Sequence, residues 1–201
     1  MRCLLILFAG LLLAACYSSG KRGGDSAMAL YDFGQPVAPV SVPSELGDLA
    51  VEVRAPLWLD SLGIQYRLAY AEPLRLREYT RARWVGPPAQ LVQQRLIQKL
   101  GALPSGQGRT RCVLRIDLDE FNQVFDSPTR SRGVIEGRVQ LLDRSRAVVV
   151  GYPFRIESPA PSADARGGVA ALTVAVDQLA ADLLVRQKTV DGGAKAAVCK
   201  P

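Results

Sequence analysis

The groups in this sequence that could do chemistry are thiols, carboxylates, guanidinium groups and aromatic rings, because its 201 residues contain no histidine. Without an imidazole the chain lacks the usual general base, the commonest transition-metal ligand and the side chain that titrates near neutral pH. A histidine-based triad is impossible, and no Gly-x-Ser-x-Gly elbow is present. Asp117, Asp119 and Glu120 lie close together, and paired carboxylates can carry acid–base steps. Asp117 and Asp119 alternate with apolar residues, so the solvated face of a strand is the simpler account. No glycine-rich phosphate loop occurs, which argues against nucleotide binding by this chain itself. Gly167-Gly168 stands where an apolar helical pattern begins and reads as a helix entry rather than an anion site. No metal-ligand set and no catalytic set emerges, which lowers the expectation of an enzyme without excluding one.

The thiols are more informative. Cys16 follows Leu13-Ala14-Ala15, which closes an apolar run from Leu4 with one positive charge before it, at Arg2. A charged start, an apolar core and a small-residue site make a secretory signal peptide. A helix of about ten residues is only ~15 Å long, half the ~30 Å hydrocarbon core of a bilayer, so the run cannot serve as a span. Leu-Ala-Ala-Cys resembles the lipobox of bacterial lipoproteins. That resemblance implies cleavage before Cys16, a diacylglyceryl group on its sulfur and, usually, acylation of the new amino terminus. The covalent lipid would be the only non-protein group. Cys3 leaves with the signal. Cys112 and Cys199 remain in a chain exported to an oxidising compartment, and a disulfide between them is expected. It would close a loop of roughly 87 residues, contributing ~4–5 kcal/mol on the loop-entropy account. The alternative is a buried Cys112 on a strand and a free Cys199 in a loose tail.

The balance of 25 basic and 19 acidic residues gives a net charge of +6. The basic residues are spread along the chain with no run of four, so nucleic-acid binding is a weak reading, and export argues against it. At 48% hydrophobic residues the chain can build a core.

The elements that must position these groups follow from periodicity. Residues 16–28 are a lipidated cysteine and a Gly/Ser-rich flexible tether. Residues 29–188 form one domain, and 189–201 are a polar, mobile tail. Strands are expected at Ala29–Phe33, Leu49–Arg54, Ile64–Tyr70, Leu74–Tyr79 and Arg111–Asp126, the last with a bulge near Asp119-Glu120, where the apolar phase slips. Gln35–Pro43 should run extended over the surface. Ile135–Leu141 and Val148–Ile156 make a hairpin around Asp143–Arg146. A first helix opens at Pro87-Pro88, buries Val92, Leu96 and Leu100 with Ile97 beside them, and stops at Gly101. A second is capped by Asp164 and buries Val169, Leu172, Val176, Leu179 and Leu183. The fold class is α/β in the α+β sense: a single domain with a mixed sheet and two helices packed mainly on one face.

Several segments together resemble the ABC-type transport auxiliary lipoprotein family. They are Tyr31-Asp32-Phe33-Gly34, Leu57-Trp58-Leu59-Asp60, Ile64-Gln65-Tyr66-Arg67, Tyr79 with Arg83-Trp84, Pro87-Pro88, Leu118-Asp119-Glu120-Phe121 with Gln123-Val124-Phe125, and Asp164-Ala165. The second cysteine pair and the tail are not part of that likeness. The resemblance implies a non-enzymatic periplasmic lipoprotein of an MCE-type lipid transport system. It would dock on an MCE protein, with permease and ATPase as separate chains, and a homo-oligomer is left open. Tyr17, where inner-membrane retention is mainly signalled by aspartate, points to the periplasmic face of the outer membrane. Trp58, Tyr66, Arg67, Tyr79 and Trp84 are the expected contact surface, since Trp, Tyr and Arg are enriched at binding hot spots. The runner-up is a stand-alone structural or assembly lipoprotein of the outer membrane. A third reading, a hydrolase using carboxylates near Asp119, would need an acidic cleft.

Overall fold

The computed structural model describes residues 27–35, 49–106 and 110–190. In chain order they form β1 (Ala29–Tyr31), β2 (Leu49–Arg54), β3 (Gly63–Leu68), β4 (Glu72–Trp84), α1 (Pro88–Leu100), β5 (Leu103–Pro104), β6 (Cys112–Ser127), β7 (Arg130–Leu142), β8 (Val148–Pro159) and α2 (Ala165–Val190). The eight strands make one mixed sheet. The signal segment, Cys16, the tether, most of the Gln35–Pro43 stretch, Cys199 and the tail beyond Val190 lie outside the described residues.

The 16-residue β6 is the spine. One edge pairs antiparallel with β7 along its whole length, and β7 pairs antiparallel with β8. The other edge is shared. β2 runs parallel to it from Leu49 beside Cys112 to Arg54 beside Asp117. β3 runs parallel to it further on, from Tyr66 beside Gln123 to Leu68 beside Phe125. β2 and β3 are therefore one interrupted strand line, and residues 55–62 are an excursion from it at the level of the β6 bulge. That bulge appears as a register shift between Leu118 and Glu120, where the sequence places it. β4 pairs antiparallel with β3 and carries β1, parallel, on its far end. β5, which periodicity did not reveal, adds two pairs to β2.

One face of this sheet is apolar and carries both helices. Leu114, Ile116, Leu118 and Phe121 of β6 join Val51, Val53, Ile64, Ile135 and Val139 from neighbouring strands in a single core. α1 adds Val92, Leu96 and Leu100, and α2 adds Val169, Leu172, Val176, Leu179 and Leu183, all buried as their spacing requires. Gly101 ends α1 at φ 62°, a left-handed conformation that glycine adopts without a Cβ clash, and its N–H bonds the Ile97 carbonyl. α2 opens with Asp164 Oδ1 accepting from the Gly167 N–H at 2.8 Å, the cap the sequence predicts. It continues to Val190, taking in the first two residues of the expected tail. Length and composition would let α2 cross a membrane, but half of its apolar window is buried inside the protein, as befits a core helix.

The helices are joined by a buried ion pair. Arg95, 5% exposed, grips Asp177 with two bonds of 2.7 and 2.8 Å, and Lys99 reaches the same carboxylate at 3.2 Å. Arg95 also donates to the Phe33 and Gly34 carbonyls, tying the segment after β1 to both helices.

The opposite sheet face is charged. Glu52 pairs with Arg54, Arg146 and Arg115, and an alternating line of Glu136, Arg155, Glu157, Arg132 and Asp126 crosses β8, β7 and β6. Such part-exposed pairs contribute little individually, and mark this face as solvated.

Candidate functional site

The excursion at residues 55–62 is built as a rigid turn. Pro56 ends the strand, and its carbonyl accepts from the N–H groups of Leu59 at 2.9 Å and Asp60 at 3.1 Å. Leu59 plugs into the core at 2% exposure. Asp60 Oδ1 accepts from the Ala89 N–H at 3.0 Å, satisfying a donor at the start of α1. Gln65 Nε2 donates to the Trp58 carbonyl at 2.7 Å, and Ser61 Oγ donates to Glu78 at 3.2 Å. With the backbone held from four directions, Leu57 stands 93% exposed and Trp58 68% exposed. Leu62 and Val85 are exposed beside them, where the Trp84 N–H bonds the Leu62 carbonyl at 2.8 Å. Large apolar side chains held out on a fixed backbone are what a protein contact needs, since little ordering is left to be done on binding.

The five aromatic and arginine residues expected to share a surface do not. Trp58 is exposed on the turn. Trp84 is a correction: it is 1% exposed and sits edge-on to Phe33 at 5.6 Å, with Phe121 at 5.8 Å. The reason lies in β4. Two steps along β3, from Gly63 to Gln65, match five along β4, from Arg83 to Glu78. The three extra residues reset the phase, so Tyr79 and Trp84 both face the helices although they are five apart.

Tyr66 and Tyr79 form a half-buried stack with centroids 4.6 Å apart, and Tyr66 meets the edge of Phe125 at 5.8 Å. The Tyr79 hydroxyl donates to Gln123 Oε1 at 2.9 Å, and Gln123 Nε2 donates to Ser131 Oγ at 2.7 Å. Burial, reinforced by the neighbouring Tyr66 and Asp164, pushes the Tyr79 phenol far above its ordinary range, so it stays a neutral donor. Gln123 is wholly buried, and a side chain at Gly168 would run into it, so α2 seats on this network. These are groups that fix the helix on the sheet. Arg67 points to the other face and pairs with Glu120 at 3.2 Å.

The carboxylates near the bulge are divided between solvent and partners. Asp119 is exposed, and Glu120 is taken by Arg67 and Asn122. No group of three His, Cys, Asp or Glu side chains that could hold a metal ion occurs among the described residues. Gly167 and Gly168 serve packing, with Gly167 pressed on Ser162. Cys112 is buried and disulfide-bonded, and no other cysteine lies among the described residues.

Sequence reasoning missed Leu57, Leu62 and Val85 in the exposed turn. The signal was there: two large apolar residues next to Pro56, in a stretch that neither period claims. It also missed the tip of the β3–β4 hairpin, where Tyr70 is 47% and Leu74 94% exposed.

A family model described as the ABC-type transport auxiliary lipoprotein component matches residues 31–183. Among curated proteins none matches. Among solved structures, a Xanthomonas campestris protein assigned to the DUF330 family is similar with a TM-score of 0.67 at 22% identity, over 82% of this chain and 100% of that one. A crystallised uncharacterized protein is similar with a TM-score of 0.62 at 18% identity, over 80% of this chain and 98% of that one. At such identities the two structures speak for the fold.

Proposed function

The chain belongs to the family of ABC-type transport auxiliary lipoprotein components, and from that premise we propose that it is a lipid-anchored docking subunit of an MCE-type lipid transport system. In this reading Cys16 carries the lipid, and Tyr17 directs the protein to the periplasmic face of the outer membrane. The folded domain then binds the MCE protein that bridges the envelope, while permease and ATPase are separate chains. The protein breaks no bonds. Its contribution is positional, because an anchored docking surface meets a tethered partner at high effective concentration.

The observation that carries the reading is the Leu57–Trp58 turn, apolar, exposed and held by the core, Asp60 and Gln65. The acids beside it, Asp60 and Glu78, suit a protein partner better than an anionic lipid surface. The test is photocrosslinking from position 58 in intact envelopes, with partners identified by mass. Capture of the MCE protein, lost in Leu57→Asp, supports the reading. Capture through other surfaces with the turn silent rejects it. The proposal also pairs Cys112 with Cys199, and thiol titration of the unfolded, unreduced mature protein then finds no free thiol.

A further inference from the structure

The tip of the β3–β4 hairpin is unlike the rest of the surface. Ala69, Tyr70, Ala71, Glu72, Pro73 and Leu74 are all exposed, and Glu72 is the one charge among them. That charge is neutralised by Arg75 at 3.3 Å and by Arg77. The Ala69 N–H bonds the Phe125 carbonyl at 2.9 Å, which places the tip next to the β6–β7 turn, residues 128–129, and the exposed Arg130. The Ala160 N–H bonds the Ser131 carbonyl at 2.9 Å, bringing the loop before α2 to the same end. The acids here are engaged: Asp126 and Glu157 by Arg132, and Asp164 by the N-terminus of α2. Arg130 makes no ion pair among the described residues. The end is therefore apolar at its tip, where Tyr70 stands, with its carboxylates engaged and the Arg130 guanidinium exposed beside it. That composition belongs at a membrane–water boundary.

The direction of the chain agrees. β1 runs parallel to β4, with Ala29 beside Ala82, so the residues before it enter from the hairpin end. From the level of Ala27 to the tip, the eight residues of β4 span at most about 27 Å, less where β4 bulges against β3. The ten residues between Cys16 and Ala27 reach at most ~35 Å when extended. The tether is long enough to let the tip touch the surface that holds the lipid and too short to let the domain roam far from it.

We infer that the β3–β4 hairpin tip, with Tyr70, Leu74, Arg75 and Arg130, is a membrane-contact surface for anionic phospholipid. It holds the domain upright on its anchor and turns the Leu57–Trp58 side away from the bilayer. The inference rests on the anchored reading above, but its test does not use the anchor. The mature chain carrying Cys16→Ser, free of acyl groups, is floated with vesicles of phosphatidylethanolamine and phosphatidylglycerol, and with vesicles of phosphatidylcholine alone. Weak binding to the anionic vesicles is expected, falling as salt is raised. Leu74→Asp and Arg130→Glu, both at exposed positions, each weaken it roughly tenfold, and Trp58→Ala leaves it unchanged. No binding to anionic vesicles, equal loss in Trp58→Ala, or unchanged binding in both tip variants would overturn the inference. So would tip variants that keep vesicle binding but lose capture of a protein. Mass analysis of Cys16 in the native protein judges the anchor separately: an unmodified thiol would reject that reading and leave the vesicle result standing.

Discussion

At the scale of single residues, the two tryptophans separate packing from exposure. Trp84 is closed in by Phe33 and Phe121 at 1% exposure, whereas Trp58 is 68% exposed on its turn. Trp84→Ala should cost about 3–5 kcal/mol, the range for an emptied aromatic site in a core. Trp58→Ala should stay within about 0.5 kcal/mol, as surface changes do. Urea unfolding of the two variants checks both, and similar losses would mean that the turn is part of the core. Asp177 offers a pH test. Burial raises its pKa, but the bonds from Arg95 and Lys99 outweigh that and hold it below the ordinary carboxylate value of 3.8. A folded-state pKa below the unfolded one adds stability that is fully present above the unfolded value and is lost as pH falls through the folded one. Asp177→Asn should therefore cost about 1–2 kcal/mol near neutral pH, discounted because the carboxylate is one-third exposed. The gap to the native protein should narrow only below about pH 4. Unfolding free energies from pH 7 down to acid should show that convergence; a constant gap would mean that the carboxylate charge is not what binds the helices.

At the scale of elements, α2 comes close to the sheet at Gly133 on β7, where an added Cβ would lie 2.7 Å from the Leu172 backbone nitrogen. Backbone cannot step aside as a side chain can, so Gly133→Ala should lose about 1–3 kcal/mol by forcing α2 off the sheet. Gly151, on the edge strand β8, has its nearest neighbour at 3.6 Å. Gly151→Ala should be within about 0.5 kcal/mol of the native protein, and thermal unfolding of the pair decides whether spacing or mere loss of glycine matters. Much of this architecture was legible in the sequence. The bulge in β6 showed as an apolar phase slip after Leu118, both helices showed their stripes, and Gly101 and Asp164 marked helix ends. What was hidden is nonlocal. Nothing in Leu49–Arg54 and Ile64–Leu68 says that both strands line the same edge of β6, because pairing partners leave no trace in a strand's own alternation. The phase reset in β4 likewise made Trp84, flanked by Arg83, look like a surface residue. Arg95 could have been suspected, since it falls three residues after Val92 on the buried stripe of α1. Its partner Asp177 lies in the other helix, out of reach of any local pattern.

At the scale of the whole molecule, the sheet is a spacer with different ends. The 16 residues of β6 make it about 50 Å long. The β3–β4 and β6–β7 tips occupy one end, and the Leu57–Trp58 turn stands from the long edge near its middle. On the reading proposed above, a domain of this shape on a short tether acts by where it is held. Docking then depends on how much surface is confined near the partner, and removing the lipid should be felt as dilution. Two or more acyl chains anchor a protein stably, while an acyl-free chain spreads through the periplasm. Confinement by a short linker raises effective concentration to the millimolar range, and overall binding by about 10²–10⁴. Cys16→Ser at native abundance should therefore lose most capture of the partner and most transport-linked barrier function, with the fold and the intrinsic affinity of the turn unchanged. Raising its expression should restore capture in proportion to concentration. Leu57→Asp on an intact anchor should not be rescued in this way, because the missing contact is absent at any concentration. Crosslinking yield and envelope permeability, measured across an expression series for both variants, test the point. If the soluble variant supports full function at native abundance, position is not what this protein supplies.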